Sequence, residues 1–127
     1  MSIELNHTIV HARDAHASAT FLAHVLGVEA APQWGPFVPV QVGQVTFDYM
    51  NHPDDFTPQH YAFLVGEDDF DAAFGRIQAD AIPIWADPHQ EMPGEINHHD
   101  GGRGVYFQDP DGHLLELITR PYGAGAQ

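Results

Sequence analysis

The feature that most constrains this chain is a pattern written twice at one spacing. Leu5-Asn6-His7-Thr8-Ile9-Val10 alternates as a strand with Leu5, His7 and Ile9 on one face, and His60 to Val65 starts the same pattern again. His60 minus His7 is 53, and Phe74 minus Phe21, one residue from each following helix, is also 53. Gln59 falls on Asn6, so an amide precedes each histidine. The closing strands align at another offset, Glu116 minus Asp48 being 68. The extra 15 residues (68 minus 53) fall in the long loop between Trp85 and Gly104. A loop inserted in one copy is a frequent place for substrate contacts.

Between these anchors the elements can be read off. Asp14 is placed to cap a helix running to Leu26, with Phe21, Leu22, Val25 and Leu26 as its apolar stripe and Gly27 as its stop. Phe37 to Val42 and Val45 to Met50 read as strands joined around Gly43. A polar, proline-bearing stretch from Asn51 to Pro58 marks the midpoint. In the second copy Asp68 or Asp69 is expected to cap a helix burying Phe70, Ala73, Phe74 and Ile77, and Ile82 to Trp85 reads as a further strand. Val105 to Gln108 and Leu114 to Thr119 close the pattern around the turn Asp109-Pro110-Asp111-Gly112. The small residues after Pro121 are expected to fray. The predicted class is α+β, two βαβββ modules over residues 3–51 and 58–120 of a single domain.

Composition narrows the partners. The length of 127 residues suits one domain, and 43% hydrophobic residues suffice for one core. No apolar run reaches the ~18 residues of a membrane span, and the first residues carry neither a basic region nor an apolar stretch, so a cytoplasmic protein is expected. There are no cysteines, which removes disulfides, thiolate ligands and cysteine nucleophiles. Four basic residues, all arginine, stand against 18 acidic ones for a net charge of -14. Such a surface repels phosphate backbones and anionic lipid, so neither nucleic acid nor membrane is expected as a partner. The charge serves solubility, or draws cationic ligands. Without lysine, P-loop and Schiff-base chemistry are closed. The ten histidines are spread along the chain rather than clustered as a tag.

Glu116 carries the chemical argument. It sits within Leu114-Leu115-Glu116-Leu117-Ile118, where alternation puts Leu115 and Leu117 against the helices and Glu116 on the opposite face. Desolvating an unpaired carboxylate costs several kcal/mol, so a cation must face it. The cation is a metal, or else Arg103 or Arg120. Asp48, at the matching place in Thr46-Phe47-Asp48-Tyr49-Met50, either joins such a site or faces water. With His7 and His60, Glu116 makes a two-histidine, one-carboxylate set. That set suits non-haem Fe(II) with open positions, and also Zn(II).

The doubled plan, the opening Leu5-Asn6-His7 and the closing run from Gly104 through Tyr106, Asp109-Pro110-Asp111-Gly112-His113 to Glu116-Leu117 together resemble the vicinal oxygen chelate superfamily over residues 3–120. That superfamily includes glyoxalase I, extradiol dioxygenases, fosfomycin-resistance thiol transferases and bleomycin-resistance proteins. The resemblance implies a cupped mixed sheet with helices on its outer face. It also implies one divalent metal (Fe(II) favoured; Zn(II), Mn(II) or Ni(II) as alternatives) that chelates a small substrate through adjacent oxygens. His7, His60 and Glu116 match the ligands, Asp48 a fourth ligand place, and Tyr106 a substrate-contacting tyrosine, unless it only packs. Members of this size usually form homodimers, in which the first strand of one chain can complete the site of the other.

Each subfamily fits with departures. The fosfomycin enzymes use lysine, serines and a threonine; here lysine is absent, Ile9 replaces the threonine, and Gly104 stands where a serine is expected. A glyoxalase I-like lyase or isomerase would want glutamate at Asp48 and more than four arginines. An extradiol dioxygenase-like oxidoreductase needs an acid–base histidine; none stands on the Val45 to Met50 strand, and His52, or His98 and His99 in the inserted loop, are the candidates, unless the loop pair is merely solvated. Sequestration of a cationic drug, as in bleomycin resistance, would suit the acidic charge and use Trp34, Phe37 and Trp85. Ligands kept in register favour an enzyme, with the dioxygenase-like reading narrowly ahead.

Overall fold

Strand alternation and helix capping set the local structure, seen in a computed structural model that describes residues 2–126. The chain divides between Thr57 and Pro58 into two compact units. In the first, β1 (His7–Ala12) runs parallel to β3 (Val45–Asn51), and β2 (Phe37–Val42) pairs antiparallel with β3, giving the order β1-β3-β2. α1 (Ala15–Leu26) follows β1. Its start is capped as expected: the Asp14 carboxylate accepts from the Ala17 N–H at 3.1 Å, and Asn51 accepts from the Ala15 N–H at 2.7 Å. Gly27 ends it at φ 74, a left-handed conformation that costs glycine little. Its buried face is built from Ala15, Ser18, Ala19, Leu22, Ala23 and Val25, while Phe21 and Leu26 are half-buried at the margin. Small residues at this spacing let the helix lie close to its sheet.

The second unit repeats the arrangement. β4 (His60–Leu64) is parallel to β6 (Leu114–Ile118), β5 (Gly104–Gln108) is antiparallel to β6, and the order is β4-β6-β5. His7 lies opposite Thr46 in one sheet and His60 opposite Leu114 in the other. Thr46 to Leu114 is a step of 68 and His7 to His60 one of 53, so the two parallel ladders share a register. The class is α+β, two small mixed sheets with two helices.

Four details differ from the sequence reading. Ile82 to Trp85 is not a strand; only Trp85 pairs, in single bridges to Pro93 and Tyr106, because Pro83 has no N–H to donate and Ala81 at φ 53 breaks the approach. A lone bridge from Ala30 to Val40 marks the same place in the first unit, just before Pro32, so each sheet has three strands rather than four. α2 (Glu67–Ala79) starts at Gly66 with no side-chain cap, and Asp68 and Asp69 lie inside its first turn with Glu67. Their charges face the positive end of the helix dipole, which replaces a cap. Phe70, Ala73 and Ile77 of α2 are buried and Phe74 half-buried. Finally, the segment after Pro121 is tied down: Ala124 N–H donates to the Pro121 carbonyl at 3.1 Å and Arg120 to the Ala124 carbonyl at 3.3 Å. The 109–112 turn forms as read, Asp109 Oδ1 accepting from the Asp111 and His113 N–H groups at 2.9 Å. Among the described residues no helix is long and apolar enough to cross a membrane.

Candidate metal centre

Glu116 is fully buried, with 0% exposure, at the centre of β6 between Ala62 of β4 and Tyr106 of β5. Neither arginine reaches for it. Arg103 pairs with Glu67 and Asp71 of α2, both at 2.8 Å, and lies 4.4 Å over the Phe70 ring. Arg120 is spent on the Ala124 carbonyl. The partners of Glu116 are instead His60, whose Nε2 stands 3.1 Å from Oε1, and Tyr122, whose hydroxyl donates to Oε2.

The histidine's other nitrogen decides what that contact means. His60 Nδ1 lies 2.9 Å from the Leu114 carbonyl oxygen, which can only accept, so Nδ1 carries a hydrogen. The neutral ring then presents a lone pair at Nε2 to a carboxylate oxygen, and two acceptors 3.1 Å apart require a cation between them. A proton meets that need, and so does a metal. An imidazole oriented by a carbonyl at one nitrogen and open at the other is the usual preparation of a metal-ligating histidine.

His7 is prepared in the same way by different means. It is exposed at the start of β1, and its Nδ1 donates to Asn6 Oδ1 at 2.9 Å, again leaving Nε2. At the matching position, the Gln59 backbone N–H donates to His113 Nδ1 at 2.8 Å. Asp48 is half-buried on β3 opposite Ile9 and Pro39. Among the described residues no three histidine, aspartate or glutamate side chains gather at metal-holding distances. The chain therefore brings together His60 and Glu116 of the expected ligands, with Tyr106 beside them: its ring stacks on His60 with centroids 6.0 Å apart. His98 and His99 are exposed on the inserted loop, which is held by paired Asn97 and Gly104 and by the Asn97 amide on the Ala86 carbonyl at 2.8 Å.

Tyr122 is the residue that the sequence reading missed. Its hydroxyl meets that of Tyr106 at 3.0 Å as well as Glu116, and Tyr106 also interacts with Glu116, so the three polar groups form one cluster. Burial, then the hydrogen bond to Glu116, pushes the Tyr122 phenol well above its ordinary range, and burial likewise raises Tyr106. Both are donors at neutral pH. The available signal was a lone large aromatic in an otherwise small tail.

The profile of the Glyoxalase/Bleomycin resistance protein/Dioxygenase superfamily matches residues 4–117. The chain belongs to that superfamily. It is similar to the solved structure of oxidase ChaP-H2, with 60% identity, a TM-score of 0.96, and 98% of this chain and 99% of that one covered. It is 32% identical to glutathione transferase FosA of Serratia marcescens over 120 residues, 89% of this chain and 78% of that protein. At 20% identity and a TM-score of 0.73 it shares the fold of a mutant FosX from Listeria monocytogenes, solved with Mn(II) and a dihydroxypropylphosphonic acid, over 100% of this chain and 98% of that one.

Proposed function

We propose that this protein is a divalent-metal-dependent oxidoreductase of the extradiol dioxygenase-like kind, acting on a small molecule that carries two adjacent oxygens. The observation that carries the reading is His60 Nε2 facing the wholly buried Glu116 carboxylate at 3.1 Å while its Nδ1 is held by the Leu114 carbonyl, with Arg103 and Arg120 engaged elsewhere. A nitrogen and a carboxylate oxygen fit a first-row divalent ion, and His7 supplies the second nitrogen. This donor set favours Fe(II), with Asp48 in reserve as a fourth oxygen ligand. The bound metal would act as a Lewis acid on the substrate's oxygens.

The chain's own groups do the rest. Leu114 and Asn6 hold the two imidazoles by Nδ1, Tyr106 offers a phenol beside the ligands, and His98 and His99 are the proton carriers of this reading. Ile9, two residues after His7 on β1, is 45% exposed, and Ile3 and Leu5 just before the strand are 88% and 65% exposed. An exposed apolar row around a ligand histidine suits burial against a second copy, so the proposed protein is a homodimer in which β1 delivers His7 to the partner's centre. The likeness to an oxidase over the whole chain supports oxygen chemistry. The weaker likeness to FosA meets a chain without lysine, with Ile9 and Gly104 at places where that chemistry needs hydroxyls.

Metal content of protein purified without added metal tests the centre. His60→Ala and His7→Ala should each lose the ion, and content equal to wild type in either variant removes that residue from the site. Oxygen uptake with Fe(II) and a catechol tests the reaction class. Turnover only of a hemithioacetal with Ni(II) or Zn(II), or only of fosfomycin with a thiol, would replace the oxidoreductase reading.

A further inference from the structure

The two oxygens of Glu116 are not equivalent. Oε1 faces His60 Nε2 at 3.1 Å, whereas Oε2 accepts from the Tyr122 hydroxyl. A phenol has one proton. The Tyr106 hydroxyl, 3.0 Å from that of Tyr122, has two acceptors within reach, the Tyr122 oxygen and the Glu116 carboxylate. The Tyr122 phenol is held by the Glu116 carboxylate, and the Ala124-to-Pro121 bond holds the backbone that carries it. Tyr122 lies beyond the last strand, and its side chain is otherwise open, with the residue 58% exposed. An exposed aromatic on a terminal turn gains little from packing, so its polar end is where the constraint lies.

We propose that Tyr122 is a positioning residue for the metal: by reserving Oε2 it leaves Glu116 to bind through Oε1 alone. This rests on the metal reading above and deepens it. A carboxylate free at both oxygens can take two adjacent positions on a divalent ion. A substrate that chelates through adjacent oxygens needs two such positions for itself, and every extra protein oxygen removes one. Holding Oε2 on a neutral donor keeps the carboxylate one-toothed and keeps that position open to exchangeable ligands.

The test uses the full chain with Mn(II) alone and counts water on the bound ion by water-proton relaxivity. The dissociation constant is measured in the same titration. Tyr122→Phe removes the hydroxyl and keeps the ring; Tyr122→Ala removes both and guards against a ring that merely blocks. Each is checked for folding by circular dichroism, and both are expected to fold because the residue is 58% exposed. In the folded variants the water count per bound Mn(II) should fall by about one, as Glu116 takes a second position of an octahedral ion. An unchanged count in a folded variant overturns the role of Tyr122 while leaving the metal site standing. Wild type that takes up no Mn(II), Fe(II) or Zn(II) overturns both, and loss of fold in both variants would make Tyr122 a structural residue and overturn the proposal too.

Discussion

Replacing Glu116 with glutamine separates the cost of its charge from the benefit of its shape. In the metal-free protein the glutamine amide can donate to the His60 Nε2 lone pair and its carbonyl can accept from Tyr122, so every partner of Glu116 is kept without a buried charge. Burying an ionised carboxylate costs several kcal/mol. The Tyr122 hydrogen bond and the His60 contact, which in the metal-free protein must be bridged by a proton, return about 1.5–3 kcal/mol each when the acceptor is charged, against about 0.5–1.5 for neutral pairs. The balance favours Glu116→Gln by about 1–2 kcal/mol. At ~2.1 cal/mol/K per residue over 127 residues the unfolding entropy is ~0.27 kcal/mol/K, so Tm in EDTA should rise by about 4–7 °C. Metal reverses the order. An ion at about 100 times its Kd stabilises wild type by ~2.7 kcal/mol, or about 10 °C, whereas a ~100-fold weaker site in the variant returns only ~0.4 kcal/mol, under ~2 °C. Thermal unfolding of both proteins, with EDTA and with Mn(II), reads all four numbers. A variant less stable than wild type in EDTA would show that the carboxylate is compensated without any metal, and the reasoning from its burial would fail.

Two further outcomes follow from groups away from the centre. Asp109 Oδ2 is buried with no hydrogen-bond partner among the described residues, and burial raises the carboxyl above its ordinary value of 3.8. A raised folded pKa means stability that is full below the unfolded pKa and lost as pH rises through the folded one. Wild type should therefore lose stability relative to Asp109→Asn as pH rises from 4 towards neutrality, and a difference in Tm that is flat with pH would contradict this. Arg103→Ala should cost about 1 kcal/mol, chiefly the stacking on Phe70, because exposed ion pairs such as those with Glu67 and Asp71 add little. If 0.5 M salt erased the difference between Arg103 and alanine in urea unfolding, the ion pairs rather than the ring would be responsible.

The elements set by local chemistry were legible in the residues: the Asp14 cap, the Gly27 stop, the hairpin through Gly43 and the turn at Asp109 each depend on atoms within a few positions. So was the burial of Glu116, since alternation along β6 needs no knowledge of the partner strands. What failed depended on backbone that sequence pattern does not weigh. Ile82 to Trp85 has strand-like side chains, yet Pro83 denies it a ladder. The tail reads as fraying because its residues are small, yet one of them, Tyr122, finds a carboxylate six positions earlier.

Asp48 and Glu116 occupy the same register position of their sheets, yet only Glu116 is withdrawn from water. Asp48 lies between Ile9 and Pro39, neither of which carries a side-chain hydrogen-bonding group, and it is half-buried on a strand whose solvent can satisfy it. Glu116 lies between Ala62 and Tyr106; the small alanine leaves room for the His60 ring two residues before it, and the tyrosine brings a second phenol. A carboxylate left to water is cheap to keep and weak as a ligand, because hydration competes with any ion. One removed from water binds a cation more strongly, but it must be held by donors that do not neutralise it. Tyr122 and Tyr106 are such donors, and a guanidinium would not be. Engaging Arg103 on α2 and Arg120 on the tail is thus part of what would leave Glu116 available to the metal proposed above.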